Sequence, residues 1–211
     1  MSSLDFIYKR HSVRKFKNQS VPKEDIDEII KAATYAPSGK NKQNWHFVVI
    51  RNANLIEQIS DTIKDKANTL ASKLDDEEAK NNFLKFIPYF TFFTNAPVLI
   101  LVYAGPYPSS GYDILESTNH KEDASRVLNA SPRIQNIGAA IENLLLAAAN
   151  KGYGTCWMTG PNFASSDIEK IVNFSKEGYY LTAMTPLGVP EEKELNSPKR
   201  KPLEEVMTII D

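Results

Sequence analysis

The sequence contains a single cysteine, Cys156, and almost no excess of charge of either sign. One cysteine cannot form an intrachain disulfide, which is typical of proteins in a reducing compartment. Lysine and arginine number 25 against 26 aspartate and glutamate residues, so the formal net charge is -1. A surface basic enough to bind nucleic acid non-specifically is therefore excluded, although a local basic cluster is still allowed.

Long apolar runs and a signal peptide are also lacking. The stretch 86–112 has no acidic or basic side chain and is long enough to cross a bilayer, but four prolines interrupt it. Its continuous apolar part, Ala96 to Ala104, has the length of a buried strand. The N-terminus MSSLDFIYKRHS has no apolar core of the kind that signal peptides carry. We therefore expect a cytoplasmic protein without a membrane segment.

The composition is that of one folded domain. Apolar residues make up 42% and charged residues 24% of 211 residues, near the averages for soluble globular chains. No repeat or linker divides the chain, so we expect a single domain over residues 1–211. Interleaved helical and β-type patterns predict a mixed α and β class around a sheet whose faces are both covered.

Periodicity and turn signals assign the main elements. Helices are predicted over 23–36, 134–150 and, as a pair broken around Leu74 and Asp75, within 53–87; strands over 45–50, 98–103, 155–158 and 179–185. Ser166 and Glu169 have capping-box spacing, which predicts a helix from there to about Phe174. Pro202 predicts the start of a last helical turn. Residues 105–124 lack periodicity and are predicted to be either a lid over a binding site or a surface excursion.

The predicted helix 134–150 is apolar on nearly every face. Ile137, Ile141, Leu144 and Leu145 form one stripe, and the other faces carry mostly alanine, glycine and Leu146. A helix of this kind needs cover on all sides. We expect it to form the centre of the molecule or of a dimer.

The first candidate binding segment is Arg10-His11-Ser12-Val13-Arg14. In an extended chain, residues 10, 12 and 14 point the same way, which groups two guanidinium groups with a hydroxyl. Arginine matches the paired oxygens of a phosphate, and serine adds a donor. The alternative is a solvated basic stretch, because lysines flank it.

The second candidate is Pro37-Ser38-Gly39-Lys40-Asn41-Lys42-Gln43-Asn44-Trp45, which lies between a predicted helix and a predicted strand. Its amide and hydroxyl side chains suit the edge of a neutral heterocycle, which both donates and accepts hydrogen bonds. The alternative is an ordinary connection. A third cluster, Lys199-Arg200-Lys201, gains a role only if the fold brings it to the first segment, where it would complete a phosphate site.

Signatures of covalent or metal catalysis are missing. The three histidines, His11, His46 and His120, are scattered, and no GxSxG, HExxH or GxGxxG motif occurs. Cys156 lies in an apolar segment and is expected to be buried and inert. Phosphate donors and amides without an acid–base set are what a cofactor-dependent protein offers when the cofactor performs the chemistry.

Four segments in this order resemble the FMN-dependent nitroreductase family: RHSVRKF, APSGKNKQNWHFVVI, IGAAIENLLLAAANKGYGTCWMTGP and PKRKPLEEV. The resemblance implies an α+β fold, a three-layer α/β/α sandwich with a mixed, mainly antiparallel central sheet. It also implies an intertwined homodimer with FMN at the subunit interface. The variable segments, 53–95 and 105–130, would shape the pocket of the electron acceptor.

The resemblance also implies which residues bind FMN. Arg10, Ser12 and Arg14 would hold its phosphate and ribityl chain, with His11 nearby and Arg200 joining them; Lys199 is a looser match to the family pattern. The flavin would be contacted from the partner chain by Pro37, Ser38, Gly39, Asn41 and Gln43. Thr159 and Gly160 would lie near flavin N5.

The implied activity is ping-pong hydride transfer from NADH or NADPH to flavin N5 and on to a small acceptor such as a nitroaromatic, a quinone or a flavin. No side chain is expected to act as a nucleophile. Two alternatives stay open: a module that senses or carries FMN without turnover, and a structural dimer without FMN, in which the arginine clusters are merely solvated.

Overall fold

A four-stranded sheet, in which every pair of neighbouring strands is antiparallel, forms the middle layer of the computed structural model. The strands are β1 (Trp45–Ile50), β2 (Val98–Ala104), β3 (Gly154–Thr155) and β4 (Tyr180–Gly188), in the order β1–β2–β4–β3. A parallel bridge between Ser12 and Thr155 joins the N-terminal segment to the β3 edge. The structure describes residues 4–191 and 198–210.

The described residues form nine α-helices and four short 3-10 turns. The helices are α1 (Asp5–Tyr8), α2 (Lys23–Thr34), α3 (Ala53–Ala71), α4 (Glu77–Leu84), α5 (Ile87–Thr91), α6 (Tyr112–Ser117), α7 (Lys121–Asn129), α8 (Pro132–Asn150) and α9 (Ser165–Val172). The 3-10 turns are Gly39–Asn41, Phe92–Asn95, Gly160–Ala164 and Leu203–Glu205. Among the described residues, no helix combines the length and the apolar character needed to cross a membrane.

Strand β2 is the centre of the sandwich, and all of its residues are buried. Its even-numbered residues join a core with α2 and α8, whereas its odd-numbered residues join a second core with α3 and α9. A strand with both faces covered is apolar at every position rather than at every second one. The predicted α+β class and three-layer sandwich are therefore confirmed.

Helix α8 packs one face into its own subunit and leaves another face only partly covered. Leu144 and Leu145 are 0% and 2% exposed. Leu146, Ala139 and Ala147 are only half-buried. Leu145 packs between α2 and the sheet, whereas Leu146 does not join this core. The face of α8 that its own chain leaves only partly covered is the one that carries Leu146.

The segment 105–124, predicted to be without regular structure, contains α6 and the start of α7. The two helices are short, and Ala124 is their only buried residue. Glu122 and Arg126 lie one helical turn apart and form an ion pair (Oε1 to Nη2, 2.8 Å), which adds local support to α7. Helices with so little buried surface leave no clear apolar period in the sequence, which explains the error.

Two smaller predictions are also wrong. Pairing as a strand ends at Thr155, and Met158 forms only an isolated bridge with Met184, so no strand extends over 155–158. The capping box of Ser166 and Glu169 does not form, because the N-cap of α9 is Ala164, two residues before Ser166, and Glu169 accepts a hydrogen bond from the distant Leu181 N–H (2.8 Å). Tertiary contacts override the local motif at both places.

Replacing Leu146 by Glu is expected to separate the subunits of a homodimer. Burying a leucine fully contributes about 1.5–3 kcal/mol to the stability of the interface. A two-fold interface contains Leu146 from both subunits, so the substitution removes this contribution twice. Light scattering at micromolar concentration should give about twice the chain mass of 23.7 kDa for the wild type and the single-chain mass for the variant. Ile114→Glu, at a position 68% exposed, is the matched control. A monomeric wild type would contradict the predicted dimer.

Candidate functional site

The basic segment lies along the β3 edge of the sheet. The Val13 N–H donates to the Thr155 carbonyl (2.8 Å), and the Val13 side chain is buried, 4% exposed. Alternation along the chain then turns Ser12 and Arg14 to the other side, where both are exposed. His11, the remaining residue of the predicted group, is half-buried.

Three of the predicted phosphate ligands meet around Cys156. The Ser12 hydroxyl shares a hydrogen bond with the Cys156 thiol, and the charges of Arg14 and Arg10 also act on it. Burial is the stronger influence, so the pKa of the Cys156 thiol is raised above its ordinary value. Arg10, Ser12 and Arg14 thus all lie near enough to act on the Cys156 thiol; that they bind a phosphate together stays a prediction.

Both guanidinium groups retain capacity to bind an anion. Arg10 Nε lies 3.7 Å from Glu142 Oε1, too long for a hydrogen bond. Arg14 stands 6.0 Å from the centre of the Phe92 ring and has no carboxylate partner within residues 4–191 and 198–210. A phosphate placed here would meet two positive charges and a hydroxyl.

The loop 37–43 adopts an unusual backbone conformation. Lys40, Asn41 and Gln43 have φ values of 54°, 50° and 46°, which lie in the left-handed region that residues other than glycine rarely adopt. The Ser38 hydroxyl accepts the Gln43 N–H (2.9 Å), which closes the loop on itself. Pro37, the first residue of the loop, is exposed.

Two buried asparagines hold this loop against the start of α8. Asn136 Nδ2 donates to Asn44 Oδ1 (2.8 Å), and Asn136 Oδ1 accepts the Gly39 N–H (3.3 Å). Asn44 Nδ2 also faces the carbonyls of Gly105 and Arg133, each at 3.4 Å. The sequence analysis missed Asn136; an amide inside an otherwise apolar helix stripe was the available signal.

Tyr107 covers the loop at Gly39. A Cβ atom at Gly39 would overlap the Tyr107 hydroxyl, so a larger residue there would require the Tyr107 side chain to move. The contact joins the segment after β2, which was predicted to be a lid, to one of the predicted flavin-binding residues.

Thr159 and Gly160 follow the bridge between Met158 and Met184, in which each N–H donates to the other carbonyl (2.9 Å). Both residues are exposed and start the 3-10 turn Gly160–Ala164. A Cβ at Gly160 would lie 2.7 Å from the Phe90 ring. Because Arg14 stands near Phe92, the segment 90–92 lies close to both the basic segment and the Gly160 turn.

Lys199 and Arg200 are exposed, and within the described residues the one polar contact of Arg200 is with the nearby Pro198 carbonyl (3.3 Å). Among the described residues, no hydrogen bond or ion pair joins Lys199 or Arg200 to the basic segment. The tail that follows carries bare apolar side chains between 53% and 92% exposed: Leu203, Val206, Met207, Ile209 and Ile210.

Gly39→Ala is expected to lower the melting temperature by roughly 2–12 °C. The added methyl overpacks against Tyr107 at a cost of about 1–3 kcal/mol. In a Tyr107→Ala background the same change should cost less than about 0.5 kcal/mol, because the obstacle is gone. Gly138→Ala, where the nearest atom lies at 3.5 Å, is the control. An equal loss in both backgrounds would show that Tyr107 is not the cause.

Comparison with known proteins places these features in a family. The nitroreductase family model matches residues 7–189. A solved BluB-like flavoprotein from Clostridium difficile 630 is 46% identical, with a TM-score of 0.93 and all of both chains covered. An iodotyrosine deiodinase solved with FMN and 3-iodo-L-tyrosine is 27% identical, with a TM-score of 0.66 over 93% of this chain and 94% of its own.

A relative from Archaeoglobus fulgidus, provisionally named NADH dehydrogenase/NAD(P)H nitroreductase, is 30% identical over 159 residues, which cover 74% of this chain and 66% of that protein. The family model spans both the basic segment and the loop 37–43, as well as the Gly160 turn. On this evidence the chain belongs to the nitroreductase family.

Proposed function

We propose that this protein is an FMN-dependent oxidoreductase that takes electrons from NADH or NADPH and delivers them to a small acceptor. The observation that carries the proposal is the grouping of Arg10, Ser12 and Arg14 at the β3 edge, where no carboxylate pairs with Arg14 among the described residues. Membership of the nitroreductase family supports it, as do relatives named flavoprotein and solved with FMN.

The donor set fits FMN at both ends of the cofactor. Arg10, Arg14 and Ser12 would hold the phosphate, for which forked guanidinium groups and a hydroxyl are well suited. Ser38, Gly39, Asn41 and Gln43, with Pro37 beside them, would contact the flavin from the partner subunit through amide and backbone groups. Arg200 and Lys199 would complete the phosphate site, and Thr159 and Gly160 would face the flavin ring.

The chemistry that bound FMN supplies is hydride exchange at its N5 atom, first with NADH or NADPH and then with the acceptor in ping-pong order. The residues of the chain would bind the cofactor, orient it towards its reaction partners and shield it from solvent. The arginines place positive charge near the cofactor, and the loop 37–43 is already fixed before binding, so less order has to be gained. No described side chain has to act as a nucleophile.

A second copy of the chain would complete the site. The apolar tail 203–210 and the face of α8 at Leu146 are bare in one subunit, and both become covered in an intertwined homodimer. The loop 37–43, exposed in a single chain, would then face the cofactor held by the other subunit.

Anaerobic reduction tests the enzyme directly. The purified protein should be yellow, with flavin absorbance near one FMN per chain, and should bleach within seconds when NADH or NADPH is added. A nitroaromatic or a quinone added afterwards should restore the colour. A protein that binds FMN but resists reduction by both nicotinamides would instead be a flavin carrier or sensor, and a colourless protein that does not take up added FMN would leave the arginines as solvated surface.

Arg14→Ala is expected to weaken FMN binding roughly ten- to a hundred-fold, because the lost charge-assisted bond is worth about 1.5–3 kcal/mol. Riboflavin lacks the phosphate, so its weaker binding should be nearly unchanged by the same substitution. Fluorescence titration of both ligands against the wild type measures the difference. Arg51→Ala, at an exposed position outside the site, controls for loss of general positive charge. Equal weakening of both ligands would contradict a phosphate contact.

Replacing residues 109–119 by a short Gly/Ser linker is expected to change the ranking of acceptors by kcat/KM while FMN content is kept. The change removes α6 but keeps Tyr107, which packs against Gly39 of the loop 37–43 that is proposed to bind flavin. Discrimination between acceptors depends on contacts made in the transition state, whereas other residues hold FMN. An unchanged ranking would mean that 109–119 does not shape the acceptor pocket and that the pocket is built elsewhere, with 53–95 as the next segment to test.

A further inference from the structure

A cavity of about 320 Å³, separate from the candidate flavin site, opens between α9 and the end of β2. None of its lining residues is among those proposed to bind FMN. Tyr103 and Glu169 provide buried or half-buried polar groups, and Phe174 and Tyr179 provide aromatic walls. The volume is near the lower end of the range of small-molecule sites and suits a single ring system.

Tyr103 brings a buried hydroxyl without a partner to this cavity. The residue is 1% exposed, and its Oη atom has no hydrogen bond in the described part of the chain. Burial, with a smaller contribution from the Glu169 charge, raises the pKa of Tyr103, so the phenol stays protonated at neutral pH. A buried donor left unsatisfied is costly, which makes a missing acceptor the simplest explanation.

Glu169 supplies the complementary group. Its Oε1 atom accepts the Leu181 N–H (2.8 Å), which fixes the carboxylate, and within the described residues its Oε2 atom has no partner. Lys170, which also lines the cavity, is paired with Asp167 at 3.1 Å. The wall of the cavity therefore offers one carboxylate oxygen, on a side chain that is fixed by Leu181, as an acceptor for a ligand donor.

The aromatic walls are themselves held in place. His46 stacks on Phe174 with ring centres 4.6 Å apart and an angle of 14° between the planes. The Tyr179 ring sits so close to Gly105 that a Cβ there would overlap it. Fixed aromatic rings beside polar groups favour a planar ligand.

We propose that this cavity binds a planar amino-substituted heterocycle, in which a ring nitrogen accepts the Tyr103 O–H and the adjacent amino group donates to Glu169. The adenine base has this pair of groups side by side. A carboxylate of the same size has no proton to donate to Glu169 and would meet its negative charge at hydrogen-bond distance, closer than the two nearby cations, Lys170, which is paired with Asp167, and Lys176, which lies over the Tyr179 ring (4.2 Å).

The test is calorimetric titration of the FMN-loaded protein with adenine, with purine, which lacks the amino group, and with benzoate. Adenine should bind saturably, purine at least about fivefold more weakly, and benzoate not measurably. Glu169→Gln keeps a side-chain oxygen that can accept the Leu181 N–H, and it should weaken adenine binding about tenfold or more. Tyr103→Phe should weaken it roughly two- to tenfold without lowering stability, because it removes a hydroxyl that lacks a partner.

Tyr35→Phe, at a position 77% exposed, is the matched control and should leave adenine binding unchanged. AMP distinguishes between two kinds of ligand. If AMP binds as tightly as adenine, the cavity accepts a nucleotide; if AMP does not bind, it accepts only the free heterocycle. The proposal is overturned if adenine and AMP both fail to bind, or if Tyr103→Phe and Glu169→Gln leave their binding intact. Flavin absorbance of each variant reports FMN separately, so the outcome is independent of the function proposed above.

Discussion

The hydrogen bond between Asn44 and Asn136 is the interaction on which the candidate flavin site depends. The two amides are 3% and 9% exposed, and between them they reach Gly39, Gly105 and Arg133. Three segments distant in sequence meet at this pair: the loop before β1, the segment after β2 and the start of α8. Because buried amides bind each other far better than they bind an apolar surface, they fix the relative position of all three.

This anchoring explains how a loop with three left-handed, non-glycine residues persists. Each such residue costs on the order of 1–3 kcal/mol and survives only where its surroundings over-determine the conformation. Here the surroundings are the amide pair at one end, the Ser38 hydroxyl within the loop and Tyr107 above it. Strain concentrated at a polar, exposed loop is typical of a binding site that is formed before its ligand arrives.

Much of the architecture was predictable from the sequence. The unbroken apolar run of β2 indicated a strand covered on both faces, and the periodicity of α2, α3 and α8 gave their positions within a few residues. Helices α6 and α7 were missed because they bury almost nothing. The capping box failed because Leu181, distant in sequence, takes the Glu169 carboxylate. A local apolar pattern predicts an element that buries one face, and it gives no signal for α6 and α7, which bury almost nothing, or for the Glu169 carboxylate, which bonds to a distant partner.

The candidate site was predictable only in part. Alternation along an extended chain grouped Arg10, Ser12 and Arg14, since that rule needs no knowledge of the fold. The amide pair required the long-range pairing of the loop with α8, which a single sequence does not reveal. Arg200 has no described contact with the basic segment, so its proposed role at the phosphate depends on the proposed second copy of the chain.

The buried state of Cys156 has a practical consequence for studying the molecule. The chain has no other thiol, and burial raises the pKa of this one, so little thiolate is available to alkylating reagents at neutral pH. The natural sequence thus serves as a nearly silent background for site-directed labelling. A cysteine introduced at exposed Ile114 or Ile210 would carry a spin label or a fluorophore alone, reporting separately on the segment after β2 and on the tail.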